Sequence, residues 1–170
     1  VVDYAKAYRN QTTTPLVVAQ RIIDAVHQSN SSSPALRAII NLDTNDVLKQ
    51  AEASTERFQS NQPLGLFDGV PVAVKDEIDQ IGYPTSVGTA FLGQHTVQGD
   101  ATVVARFRDA GALLIGKANM HEIGIGVTGM NPHHGHARNP YNSDCITGGS
   151  SSGSAASVAA GLCPVAIGAD

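Results

Sequence analysis

The chain has no tryptophan, few aromatic residues (5 %), and a low share of charge (15 %). Its two cysteines, Cys145 and Cys163, form neither a Cys-x-x-Cys pair nor a metal-ligand spacing, and they report no compartment. The 11 Lys and Arg residues are scattered and outweighed by 15 Asp and Glu, for a formal charge of -4. Nothing here resembles a nucleic-acid footprint, which needs a basic stripe, and no nucleic-acid partner is expected. No apolar run reaches the roughly 18 residues of a membrane span. Val1-Val2-Asp3-Tyr4-Ala5 has neither the basic start nor the apolar core of a signal peptide, and no initiator Met. The chain is accordingly expected to begin inside a larger precursor, already within a helix.

What is present argues for a folded enzyme-sized unit. Apolar residues make up 42 % of 170 residues, which excludes general disorder and allows a real core. The 17 glycines point to tight turns and close backbone approaches. Asn10-Gln11-Thr12 and Asn30-Ser31-Ser32 match the N-glycosylation sequon, a pattern that also arises often by chance. A single incomplete domain is expected, with N-terminal helices over about residues 1–60 and the start of a core over about 65–170.

Thr14-Pro15 reads as a helix cap followed by proline in the first turn, with an apolar stripe running to about Ser29. A short β-rich run covers residues 36–42, and Thr44 is expected to cap a polar helix to about Gln59 whose apolar face holds Leu48, Ala51 and Phe58. Val70, Val72 and Val74 alternate with Pro71, Ala73 and Lys75, apolar almost throughout, as in a strand covered on both faces. Asp100 is expected to cap a helix over 101–110 that ends at Gly111, and a strand follows over 112–115. Further expectations are a helix over 119–123, a small-residue helix over 154–160 and a strand over 162–167. This alternation of strands and helices gives an α/β fold.

The stretch Gly148-Gly149-Ser150-Ser151-Ser152-Gly153-Ser154-Ala155-Ala156 carries the most chemistry. Its composition fits a linker, but it runs directly into an apolar helix and strand. A small-residue loop at a helix N-terminus offers amides and hydroxyls to a carboxylate, phosphate or oxyanion. It also fits a nucleophile elbow centred on Ser151, although Asp144-Cys145-Ile146-Thr147 is a poor preceding strand and no His follows. Gly111-Ala112-Leu113-Leu114-Ile115-Gly116-Lys117-Ala118 approaches a P-loop, yet Ala118 replaces the Mg²⁺-binding hydroxyl and the interior is an apolar strand. His121, His133, His134 and His136 cluster without a Cys or carboxylate to complete a zinc set. Lys75, at the end of a strand, reads either as a surface lysine paired with Asp76, Glu77 or Asp79, or as a buried general base.

These residues resemble the amidase signature family. The match runs through Gly69-Val70-Pro71-Val72-Ala73-Val74-Lys75-Asp76, Asp100-Ala101-Thr102-Val103-Val104-Ala105-Arg106 and Gly116-Lys117-Ala118-Asn119-Met120-His121-Glu122. It continues through Asn131-Pro132, Arg138-Asn139-Pro140, the Gly/Ser stretch at 148–156, and residues 161–170, so that the motifs are spread over about 100 of the 170 residues. The resemblance implies a mixed sheet covered by helices, a hydrolase acting on amide bonds, and no cofactor or metal. It assigns Lys75 as catalytic lysine and Ser150 as bridging serine, joined to Gly149 by a cis peptide bond. Ser151, Gly149 and Asp170 would support the relay. The loop carrying Gly124, Thr128, Met130 and Asn131 would line the acyl pocket for a small-molecule amide. The implied nucleophilic serine and oxyanion amides lie a few positions past Asp170, so these residues alone are expected to lack turnover. Where the family usually has glycine, this chain has Ser152. Two alternatives stay open: a glutamine-hydrolysing amidotransferase subunit working with partner subunits, and a catalytically dead binding module.

Overall fold

Thr14 Oγ1 accepts a hydrogen bond from the Val17 amide, and Pro15 opens the longest helix. The computed structural model describes all 170 residues. After α1 (Val2–Arg9) and α2 (Pro15–Ser31) come β1 (Ile39–Asn41), α3 (Thr44–Gln59), β2 (Pro71–Lys75), α4 (Thr102–Asp109), β3 (Leu113–Ala118), α5 (Ser152–Ala159) and β4 (Val165–Ile167). The strands form one mixed sheet in the order β1-β3-β2-β4. β2 runs parallel to both β3 and β4, and β1 is antiparallel to β3. No helix is long and apolar enough to cross a membrane.

Period-two alternation divides the apolar side chains between two layers. Ala73, Leu113 and Ile115 face Ile22, Ile23 and Val26 of α2 and Val47 and Ala51 of α3. Val72, Val74 and Leu114 pack instead with Val104 of α4, flanked by Phe67 and Phe107. Each fully buried Val, Leu or Ile contributes about 1.5–3 kcal/mol, so the two central strands anchor the fold. At the edge, the buried Asp68 accepts a two-pronged bond from Arg57 (2.8 and 2.7 Å) and a hydroxyl bond from Ser54 (2.6 Å).

The pairing of β2 with β3 is irregular at one point. Val72 pairs with Leu114, but Val74 pairs with Lys117, so β3 carries one residue more than β2 over this interval. The bulge includes Gly116 at φ +125, where a Cβ would strike the Asn41 carbonyl. Beyond it Ala118 rejoins the α2–α3 core while Lys117 turns to the other side.

Several local expectations are corrected. Asp43, not Thr44, caps α3, accepting from the amides of Asn45 and Asp46. Val47, Ala51, Ser54 and Thr55 are that helix's buried residues; Leu48 and Phe58 are only partly covered. Asp100 makes no cap, because its carboxylate is taken by the Arg108 guanidinium and the Ile81 amide. Residues 119–123 form no α-helix. Asn119 Oδ1 accepts from Met120 N, and the Asn119 backbone bonds Ala38 and Gly153, which leaves only a 3₁₀ turn at Glu122–Gly124.

Candidate active site

β2 and β4 end side by side, and the N-terminus of α5 sits against them. Carboxyl ends of strands are where open α/β sheets place their ligands. Lys75 is the last residue of β2 and has no solvent exposure. Its Nζ lies 2.6 Å from Ser150 Oγ, 2.9 Å from the Ala169 carbonyl and 2.9 Å from a carboxylate oxygen of Glu77. The lysine therefore has the Glu77 ion pair, but inside the protein and not at its surface.

Ser150 is held from several sides. Its peptide bond to Gly149 is cis, and its carbonyl accepts from the His121 amide at 2.9 Å. The next residue, Ser151, clasps the chain beyond β4: its hydroxyl donates to the Ala169 carbonyl (3.0 Å) and accepts from the Ala169 amide (3.3 Å). Ser151 thus reaches Lys75 through the same carbonyl that the amine uses. Ser154 Oγ donates to the Ile167 carbonyl, tying α5 to β4. Gly153 has to be glycine, since a Cβ there would run into the Asn119 amide and the Ala38 carbonyl. Asp170 borders the opening formed by residues 147–151 and 168–169.

The loop from Gly124 to Asn131 lies against the double glycine. A Cβ on Gly129 would meet the Gly148 carbonyl and Ser152 Cβ, and one on Gly149 would meet the Gly129 amide at 2.6 Å. Ile125, Val127 and Met130 point outward, 87 %, 78 % and 58 % exposed. Thr128 Oγ1 is 3.4 Å from His121 Nδ1. Asn131 is buried and its amide is fully engaged with backbone, donating to the Gly88 and Met120 carbonyls and accepting from His133 and His134. It shapes the loop from behind and does not face the opening. Ser152 is buried with no partner for its hydroxyl, and its Cβ fits because Gly129 has none.

The other sequence candidates fall elsewhere. No strand precedes the Ser151 turn as an elbow requires; Ile146 makes one isolated bridge to Arg138. Lys117 sits within β3, under backbone carbonyls and not in a phosphate loop. His133 and His134 stack edge to face with centroids 4.4 Å apart, and no group of His, Cys, Asp or Glu is arranged to hold a metal ion. Asn30 of the second sequon uses its side chain internally, donating to the Ile39 carbonyl and accepting from Arg37 N. Sequence reasoning gave Glu77 only a surface ion pair with Lys75, and Lys117 only a place in a P-loop-like stretch. For Glu77 the signal was its place two residues after the lysine, which gave no hint that its partner amine is buried.

A family model described as Amidase matches residues 21–170. The chain is 50 % identical over 169 residues to a fatty acid amide hydrolase of Arabidopsis thaliana, covering 99 % of this chain and 28 % of that protein. It is 40 % identical over 141 residues to the A subunit of the glutamyl-tRNA(Gln) amidotransferase of Chloroflexus aurantiacus, covering 83 % of this chain and 29 % of that protein. Among solved structures, the native peptide amidase from Stenotrophomonas maltophilia superposes with a TM-score of 0.91 at 32 % identity, over 97 % of this chain and 34 % of that one.

Proposed function

The chain belongs to the amidase signature family, and from that premise we propose that the complete protein cleaves a carbon–nitrogen amide bond by a relay through Ser150 and Lys75. The observation that carries this reading is the 2.6 Å contact between Lys75 Nζ and Ser150 Oγ, at a lysine shut off from water. In the neutral form, the amine takes the Ser150 proton as Ser150 takes that of a nucleophilic serine supplied beyond Asp170. The nucleophile's oxygen attacks the amide carbonyl, and the carbon–nitrogen bond breaks as the relay returns the proton to the departing amine. Water then enters, gives its proton to the same relay and releases the acid. Ser151 holds the Ala169 peptide in line, and Gly149 and Asp170 border the opening. Residues 1–170 alone hold two groups of this triad and have no turnover.

The substrate class we favour is a long-chain acyl amide. Two observations support it: the 50 % identity to fatty acid amide hydrolases, against 40 % to the amidotransferase subunit, and the outward-facing Ile125, Val127 and Met130 beside the serine loop. The test uses the complete protein with a long-chain primary acyl amide and with glutamine, following ammonia release. Release from the acyl amide, lost on prior treatment with a serine-directed fluorophosphonate, is the expected result. Turnover confined to glutamine in the presence of copurifying subunits would select the amidotransferase instead.

A further inference from the structure

The amine of Lys75 has three neighbours within bonding distance, and they differ in what they can give. The Ala169 carbonyl and the Glu77 carboxylate are acceptors only, whereas the Ser150 hydroxyl can donate or accept. We propose that Glu77 is a positioning residue of the relay: together with the Ala169 carbonyl it occupies two of the three directions around the amine, so that the lone pair of neutral Lys75 falls on Ser150. This role for Glu77 rests on the Ser150–Lys75 relay being the working chemistry.

A neutral amine has two N–H bonds and one lone pair. Its N–H bonds go to the two groups that can only accept, and the lone pair is left for the one partner with a hydrogen to give. When the proton arrives, the ammonium has three N–H bonds and all three neighbours accept. Proton transfer along the Ser150–Lys75 axis therefore needs no rotation of the amine and no change of partner. Without Glu77, the amine can turn an N–H toward Ser150 and its lone pair away, and the acceptor for the serine proton is lost.

The carboxylate itself lies against the loop at the opening. Gly124, at φ +78, has no Cβ; one built there would lie 2.6 Å from Glu77 Oε2. Asp76, the neighbouring acid, cannot substitute, because it is turned to Ser86 (2.5 Å), the Gly88 amide (2.8 Å) and Lys117 (3.5 Å). Glu77 thus lies between Gly124 of the loop and the buried lysine.

The test uses the complete protein and the variants Glu77→Leu, Glu77→Gln and Lys75→Met, with active sites counted by fluorophosphonate titration so that misfolded protein is left out. Glu77→Leu removes the acceptor at similar bulk, and Glu77→Gln keeps a carbonyl oxygen in its place. Expected for Glu77→Leu are a fall of about 10–100-fold in kcat per titrated site and a parallel fall in phosphonate labelling rate, with KM changed less than about twofold. Glu77→Gln should stay within about threefold of the parent. A Glu77→Leu protein with parental kcat per site overturns the inference, as does an equal loss in Glu77→Gln. If Glu77→Leu yields no titratable sites, Glu77→Ala read in the same way decides. Lys75→Met separates the two levels: activity retained there defeats the relay itself, whereas activity lost there but intact in Glu77→Leu defeats only the role of Glu77.

Discussion

Lys75 and Lys117 stand on adjacent parallel strands, one register step apart, and neither touches solvent. Their surroundings differ in kind. Lys117 donates to the carbonyls of Asp76 (3.2 Å), Ile78 (2.9 Å) and Pro84 (3.2 Å) and faces Asp76 Oδ1 at 3.5 Å. It stitches the segment after β2 onto β3, and Thr85, the one hydroxyl in reach, is 3.5 Å away. Burial pushes its ammonium below the ordinary lysine range, with the charges of Asp76 and Asp79 acting against that. Lys75 has one backbone carbonyl, one carboxylate and one close hydroxyl. The difference teaches that burial alone does not set a lysine's role. Only Lys75 has a close hydroxyl, the partner that the proposed relay needs.

The sharpest way to break this contrast is to remove each amine in turn from the complete protein. Lys75→Met is expected to lower kcat by about 10³-fold or more, the scale of losing a member of a catalytic triad, with a smaller loss of Tm than at Lys117, because the partner acid left behind, Glu77, is partly open to water. Steady-state kinetics on titrated enzyme checks it, and a mutant within tenfold of the parent would count against the relay. Lys117→Met should do the reverse. It strips the donor from three backbone carbonyls and leaves Asp76 without its cation, at a cost of about 3–5 kcal/mol in stability. Thermal unfolding should record a clear drop in Tm, while kcat per titrated site changes less than about tenfold.

The two lysines also show how far the sequence could be read. Valines alternating at 70, 72 and 74 told of a strand covered on both faces, and the family resemblance, not the motifs alone, singled out Lys75 and Ser150. Lys117 was opaque for a physical reason. Its side depends on the bulge at Gly116, and a strand pattern read at period two carries no mark of one extra residue. Asp43, Thr44 and Asn45 are all able to cap a helix, and only the chain's direction of entry chose Asp43. Asn119 defeated the helix expected over 119–123 through bonds to Ala38 and Gly153, far away in the chain. Glu77 looked like one more surface acid, because its approach to the buried amine and to Gly124, far along the chain, is set only by the fold.

An intermediate effect sharpens the comparison on the Lys75 side. Gly124→Ala puts a methyl group 2.6 Å from Glu77 Oε2 on a backbone at φ +78. The carboxylate has to shift, and the residue adopts a conformation that costs about 1 kcal/mol or more. The expected outcome is a fall of roughly tenfold in kcat per titrated site. Adding Glu77→Leu to Gly124→Ala should cost little further, since both act through the same carboxylate. A double mutant showing the full product of the two losses would separate Gly124 from Glu77.

The smallest expected effect belongs to the Lys117 side and is read by pH. His134 is half-buried beside His133, and burial, reinforced by the neighbouring ring, holds its imidazole below the ordinary value of 6.5, with Asp76 pulling the other way. Between that lowered value and 6.5 the unfolded chain binds a proton that the folded protein does not. Stability therefore falls as pH drops below about 6.5, and the loss levels off once the pH passes below the folded-state value. His134→Gln removes a titrating group from this window, so its Tm should fall less than the parent's between pH 7 and pH 5, with Lys75-dependent turnover per site unchanged at pH 7. Parallel Tm curves for the two proteins would mean that His134 contributes nothing to the acid sensitivity of the Asp76–Lys117 side.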